Sequence, residues 1–244
     1  MSYSNPTLKN PAKKFIQFNG GKGHFYYYDK EKEENIILDL PLYFIVLDEL
    51  NTIKGYSEQN KSGIYSNEVH FLDEILRVRT FKGNLSITGK YENIKHEIKA
   101  SGGKFAKSVY VATKFDELEL CNFMFSGTSF SQWLDIRKKF DQTKHCIKIS
   151  GTIEGKKGSI DYLMPVFEIV ALPEKVAKKA YDMDIELQKY LKTYKAQKED
   201  EIMEDVEAIN EAFDNASIDP EDLLPEPDIK PKEDVQPEDD DLPF

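Results

Sequence analysis

Beyond Ala216 the chain cannot build a packed core. Six prolines (Pro220, Pro225, Pro227, Pro231, Pro237, Pro243) punctuate a run dense in Asp and Glu, so this stretch has too little apolar surface to offset the entropy of ordering it. The segment is expected to be disordered in isolation, and any fold must come from what precedes it. The charge divides in the same way. Residues 199 to 244 hold 19 Asp and Glu against 2 Lys, leaving 31 Lys and Arg against 25 Asp and Glu in residues 1 to 198. The formal −11 of the whole chain is therefore the sum of a basic body and a strongly acidic tail. A basic body suits a polyanion, and a detached acidic segment can compete for the same surface or recruit other proteins.

The body reads as mainly β. Met1 to Lys14, with Pro6 and Pro11, is an extended arm. Phe15 to Phe18 and His24 to Asp29 flank the turn Gly20-Gly21-Lys22-Gly23 as a hairpin. Further strands are expected at Ile36 to Leu40, Leu42 to Leu47, Lys54 to Tyr56, Ile75 to Phe81, Leu85 to Thr88, Ser108 to Phe115, Glu119 to Phe125, His145 to Thr152, and Ser159 to Val170 with a break at Pro165. Short strands at this spacing indicate a barrel or sandwich. Helical spacing appears over Tyr91 to Ala100, stopped by Gly102-Gly103, and over Ser129 to Phe140, with Thr128 or Ser129 as N-cap. It returns in a charged helix from Glu174 to about Lys198. Ile202, Val206, Ile209 and Phe213 then predict an acidic amphipathic helix over 201 to 214. Three parts follow: a β domain over 1–172, a C-terminal helix over 173–198, and an acidic, largely disordered interaction tail over 199–244.

Several chemistries have little footing. Cys121 and Cys146 lie far apart with no CxxC and no nearby His pair, and read as buried reduced thiols. The Gly-Gly-Lys-Gly turn lacks phosphate-loop spacing. Glu97-Ile98-Lys99 and Glu154-Gly155-Lys156 carry the Glu-x-Lys pattern of some metal-dependent nucleases, but fall in an expected helix and an expected turn. His24, His70, His96 and His145 have no Ser or Cys partner at a suggestive position. No catalytic residue, cofactor or metal is expected. The polar start resembles no signal peptide, and no stretch reaches the length of a membrane span, so a cytoplasmic location is expected.

The strongest constellation is Ile75-Leu76-Arg77-Val78-Arg79-Thr80-Phe81-Lys82. As a strand, it sends Leu76, Val78 and Thr80 to one face and Arg77, Arg79 and Phe81 to the other. Guanidiniums beside a ring suit single-stranded nucleic acid, whose phosphates pair with Arg while unstacked bases lie on aromatic rings. In His24-Phe25-Tyr26-Tyr27-Tyr28, alternation exposes one pair of rings, taken to be Tyr26 and Tyr28. Lys22, Lys54, Tyr56, Tyr65, Lys90, Tyr91, Lys104, Lys107, Tyr110 and Lys114 add interleaved cations and rings, as a groove tracking a backbone requires. Tyr110, Ala112 and Lys114 are expected opposite the core face.

Asp239-Asp240-Asp241-Leu242-Pro243-Phe244 joins concentrated negative charge to an apolar anchor with its own carboxylate, fit for a hydrophobic pocket rimmed by Lys or Arg on another protein. This tip resembles that of bacterial single-stranded DNA-binding proteins. The body, from Asn5 to Lys195, is similar to phage-encoded proteins of that function in five runs. These are Phe25-Tyr26-Tyr27-Tyr28-Asp29-Lys30, Leu47-Asp48-Glu49-Leu50, Gly63-Ile64-Tyr65-Ser66-Asn67-Glu68-Val69, Arg79-Thr80-Phe81-Lys82-Gly83 and Gly155-Lys156-Lys157-Gly158. The resemblance implies an OB-fold-like barrel that coats single-stranded DNA during phage replication, recombination or repair. It also implies a stacking role for Phe18 and recruitment of replication or recombination proteins through the tip, with self-association open. The chain departs from the bacterial pattern in lacking a Gly/Gln-rich linker and in its longer body. The rival readings are an adaptor or DNA mimic acting through the acidic tail, and a metal-dependent nuclease.

Overall fold

The computed structural model describes residues 9–114, 117–157 and 160–215, with side chains described for all of these but 157, 160 and 199–215. Eleven strands and three helices follow one another: β1 (Lys14–Asn19), β2 (His24–Asp29), β3 (Glu34–Ile37), β4 (Leu42–Ser57), β5 (Ser62–Ser66), β6 (Ile75–Thr80), β7 (Ser86–Lys90), α1 (Tyr91–Ala100), β8 (Gly103–Lys114), β9 (Leu118–Ser126), α2 (Thr128–Arg137), β10 (His145–Lys157), β11 (Ile160–Ala171) and α3 (Glu174–Asn215). The chain divides into two compact units, Met1–Ile202 and Met203–Phe244. Only the end of α3 is described in the second. The tip, Asp239 to Phe244, and the start of the N-terminal arm, residues 1–8, lie outside the described residues.

The sheet runs β3-β2-β1-β9-β8-β4-β5-β6-β7, with β10 paired to both β11 and β4. It is mixed, because β1 lies parallel to β9 while the other pairs are antiparallel. It is also open. The expected closed barrel is absent from the described ladders, since the path ends on β3 and β7 without a pairing between them.

β4 organises the sheet. One edge pairs with β8 along most of its length, through a bulge between Val46 and Asp48. The other edge is divided, Leu42 to Phe44 pairing with β10 and Lys54 to Ser57 with β5. The polar run Asp48-Glu49-Leu50-Asn51 reads in sequence as a gap between two strands. The fold keeps it in strand by giving each polar group a partner: Asp48 meets His70 at 3.0 Å, and Glu49 accepts from Trp133 Nε1 at 2.9 Å and from Arg137. Asn51 exchanges backbone hydrogen bonds with Val69.

Three apolar clusters use the two faces of this sheet. Phe25, Phe44, Phe123, Phe125, Ile147 and Ile149 pack with Phe130 and Trp133 of α2. On the opposite face, Ile45, Leu47, Leu50, Tyr110 and Ala112 are covered by Ala180, Leu187 and Leu191 of α3. Ile53, Ile64, Leu76 and Val78 enclose Ile94 and Ile98, one helical turn apart on α1. That helix stops where Gly102 takes φ +92, and the turn lies so close to β4 that a Cβ on Gly55 would meet the Gly102 carbonyl oxygen at 2.3 Å.

Four expectations are corrected. The N-cap of α2 is Gly127 (φ +59), because the Ser129 hydroxyl is engaged with the backbone of Ser126 instead. Pro165 does not break its strand but pairs opposite Thr152 inside β11, beyond a bulge at Ile149/Gly151. Glu154 and Lys156 lie in β10, not in a turn, with Lys156 3.3 Å from Asp161 across the hairpin. The helix foreseen over 201 to 214 is the continuation of α3, with no Gly or Pro between Glu174 and Asn215 to end it, so the stretch from 199 to 215 is helical. Cys121 and Cys146 are buried free thiols. Among the described residues, no helix is long and apolar enough to cross a membrane, and no three His, Cys, Asp or Glu converge as a metal site would require.

Candidate functional site

The register brings the basic and aromatic residues of four strands into one row. Lys54 of β4 stands between Lys104 of β8 and Tyr65 of β5, Tyr65 stands opposite Arg79 of β6, and Arg79 opposite Ser86 of β7. Cross-strand partners of this kind lie about 4.5–5.5 Å apart at Cβ, close enough to form one continuous strip. The row occupies the face turned away from Ile53, Ile64 and Val78, which fill the cluster beneath.

Beside this row, Tyr56 pairs with Gly63, and Phe81 donates its backbone N–H to the Gly63 carbonyl at 3.1 Å. The Phe81 ring then lies across Gly63, where a Cβ would meet it at 2.8 Å, and stacks on Tyr65 with centroids 4.7 Å apart and planes 22° from parallel. Phe81 is 76% exposed and Tyr56 51%. A phenyl ring so open gains little from burial. Its outer face is available to another flat ring.

Lys54 extends the strip toward the other edge of the sheet. Its Nζ donates to Gln17 Oε1 of β1 at 2.8 Å, although β8 and β9 lie between the two strands. Three strand spacings amount to about 14 Å, so both side chains must lie along the face. The intervening row Thr52–Ala106–Ser126 offers only small side chains to cross. Gln17 pairs in turn with Tyr26 of β2, and Tyr28, 56% exposed, follows on that strand. Burial over this path pushes the Lys54 ammonium down from its ordinary 10.5 to about 8.

The run from Ile64 to Val69 holds the aromatic end in place. The Ser66 hydroxyl accepts the Ile53 N–H at 2.8 Å and donates to the Asn67 carbonyl at 2.7 Å. Asn67 bonds Ile75 O at 2.9 Å and Arg77 N at 2.7 Å, tying β5 to β6. Glu68 turns inward beneath α3, accepting from Ser108 and, at 2.8 Å, from Tyr110 OH, while its N–H donates to Tyr194 OH at 3.0 Å. Burial holds the Glu68 carboxyl above the usual carboxylate range despite the donors facing it.

The expected site residues fall into three groups. Tyr26, Tyr28, Lys54, Tyr56, Tyr65, Arg79, Phe81, Lys82 and Lys104 lie on or beside the strip. Lys22 is exposed in the β1–β2 turn. Lys114, at the far end of β8, lines a groove near the start of α3 instead. Phe18, Arg77 and Tyr110 are corrected. Phe18 alternates to the core side and packs on Phe25 at 4.9 Å. Arg77 has the right parity but is 8% exposed, at the end of β6 that Asn67 ties down. Tyr110 lies opposite the first cluster, as expected, but α3 covers that face and leaves it buried. Sequence reasoning missed Gln17, whose polarity gives no signal by itself, and Gly63. A glycine before Ile-Tyr-Ser was a clue that something lies across it. No family model matches the chain, and no curated protein and no solved structure matches it.

Proposed function

We propose that this protein binds single-stranded DNA without regard to sequence, laying the strand along the strip from Phe81 and Tyr65 past Lys54 and Lys104 toward Tyr26 and Tyr28. The observation that carries this reading is the exposed Tyr65–Phe81 stack in register with Arg79, Lys54 and Lys104. Rings supply a surface that any base can stack on, and the cations neutralise phosphates, which together favour unpaired strands over duplex. In this reading the protein coats and protects single strands during phage replication, recombination or repair, and the segment Asp239–Phe244 recruits partner proteins.

The strand order supports an OB-like reading of the inner sheet. β4, β8 and β9 form an antiparallel meander, α2 follows β9, and β10 returns antiparallel to the start of β4. In a Greek-key barrel of that kind, the connection between the first two strands is a site of oligonucleotide contact. Here that connection is β5, β6, β7 and α1, and it carries Tyr65, Arg79 and Phe81.

The test is a titration with oligo-dT of increasing length. Tyrosine emission is expected to fall on binding while Trp133, fully buried, changes little. With Arg79, Lys54, Lys82 and Lys104 each meeting one phosphate, log affinity should fall with log salt at a slope of about −3. Equal affinity for duplex and single strand would defeat the stacking argument.

Lys54 adds a pH signature. In the free protein it holds its proton only up to about pH 8, and a phosphate beside it raises that proton's affinity. Its contribution to binding is thus complete below pH 8 and is lost as pH climbs through the value in the complex. Lys54→Arg is expected to retain affinity at pH 9 where the parent weakens, as fluorescence anisotropy would measure. Parallel losses in both proteins would remove Lys54 from the interface.

A further inference from the structure

A second surface feature lies at the start of α3. The outward face of β4, β8 and β9 is apolar there, and α3 covers it from Ala180 to Leu191. Before that point the cover is incomplete and leaves a groove of about 900 Å³. This volume is within the roughly 300–1,000 Å³ of clefts that bury a ligand. Its walls are Ile45, Ala112, Leu118, Cys146, Val170 and Val176.

The rim is basic. Lys114 stands at the end of β8, and Lys175 and Lys179 stand one turn apart on α3. None of the three has an ion-pair partner among the described residues. Among the described residues, the one carboxylate lining the groove is Glu117, and it is already paired with Lys13 at 3.7 Å. An occupant that fits must therefore bring an apolar group for the walls and negative charge for the rim.

The tip of the tail has that composition, Asp239-Asp240-Asp241 followed at once by Leu242-Pro243-Phe244, and it ends on the one aromatic ring found beyond Ala216. We propose that the groove receives this segment from a second copy of the chain, with Phe244 among the apolar walls and the three aspartates facing Lys114, Lys175 and Lys179. Each copy carries one groove and one segment, so the contact is head-to-tail and repeats along a row of molecules. It rests on the proposed function only for that row, since copies laid side by side on one strand meet at high local concentration, where a weak contact suffices. The pairwise contact itself is read without DNA.

Sedimentation velocity of the full chain over a range of concentrations tests it. Association that follows mass action is expected, weakened by about tenfold or more in Phe244→Ala and in Lys175→Glu/Lys179→Glu. A charge exchange guards against misfolding: Asp239→Lys/Asp240→Lys/Asp241→Lys and Lys175→Glu/Lys179→Glu should each fail to associate alone, yet pair when mixed. Association untouched by Lys175→Glu/Lys179→Glu, a mixture that stays apart, or a parent chain that is monomeric at every concentration overturns the proposal. Oligo-dT binding, followed in parallel, separates the two readings. A parent that self-associates in this way but ignores oligo-dT sinks the proposed function and leaves the groove assignment standing.

Discussion

Phe81→Ala is expected to weaken oligo-dT binding by about 1–3 kcal/mol, the worth of one base stacked on one ring. The ring is 76% exposed and lies over Gly63, so its removal takes little from the fold, and a loss of affinity reports the interface. Arg79→Ala should act through a different variable, lowering the salt slope by about 0.7 as one phosphate contact disappears. The two side chains flank Tyr65, so their effects need not add, and the double variant measures the coupling between them. Phe81→Tyr retains the flat ring and should bind as the parent does. If Phe81→Ala binds oligo-dT as tightly as the parent with an unchanged urea midpoint, the strand does not run over this strip.

The largest effect on stability is expected at Trp133, the sole tryptophan. It is fully buried among Phe44, Phe125, Phe140 and Phe167, with centroid separations from 4.9 to 6.0 Å. Trp133→Ala leaves a cavity between α2 and the sheet and removes the indole N–H that reaches the Glu49 carboxylate at 2.9 Å, leaving Arg137 on its other oxygen. A loss of about 3–5 kcal/mol follows from truncating a buried aromatic of this size. Trp133→Phe separates the two contributions, keeping most of the volume but deleting the hydrogen bond, at a cost nearer 1–3 kcal/mol. Urea unfolding followed by circular dichroism is the appropriate measurement, since the variants lose the fluorophore. An alanine variant within 1 kcal/mol of the parent would mean that α2 does not hold the sheet as described.

Local patterns carried much of this fold. Phe25 and Tyr27 alternate with Tyr26 and Tyr28 as a half-buried strand must, and Leu76, Val78 and Thr80 are buried on the side expected of them. Tyr91 to Ala100 was legible as a helix because Ile94 and Ile98 fall on one face and glycines end it. Long-range facts were not legible. Asp48 to Asn51 looked like a gap because their partners, His70, Trp133, Arg137 and Val69, come from distant parts of the chain. β5 was missed because Ser62, Gly63 and Ser66 carry turn-like chemistry, while their strand state depends on pairing with β4 and β6. Tyr110 illustrates the same limit at the site: its parity was readable, but not the helix lying over it. Phe18 was given a stacking role by resemblance, and the alternation of β1 turns it to the core side, against Phe25.

β4 contributes Phe44 to one apolar cluster, Leu50 to a second and Ile53 to the third. A single ribbon of backbone thus serves as the common spine of all three, and pulling it out of register by one residue would turn the side chains it gives to each cluster to the wrong side at once. Melting of this body is therefore expected to be all-or-none, with no cluster letting go of the spine while the others keep it. The amides of β4 should accordingly be the last to exchange their hydrogens with solvent, opening only when the whole assembly does.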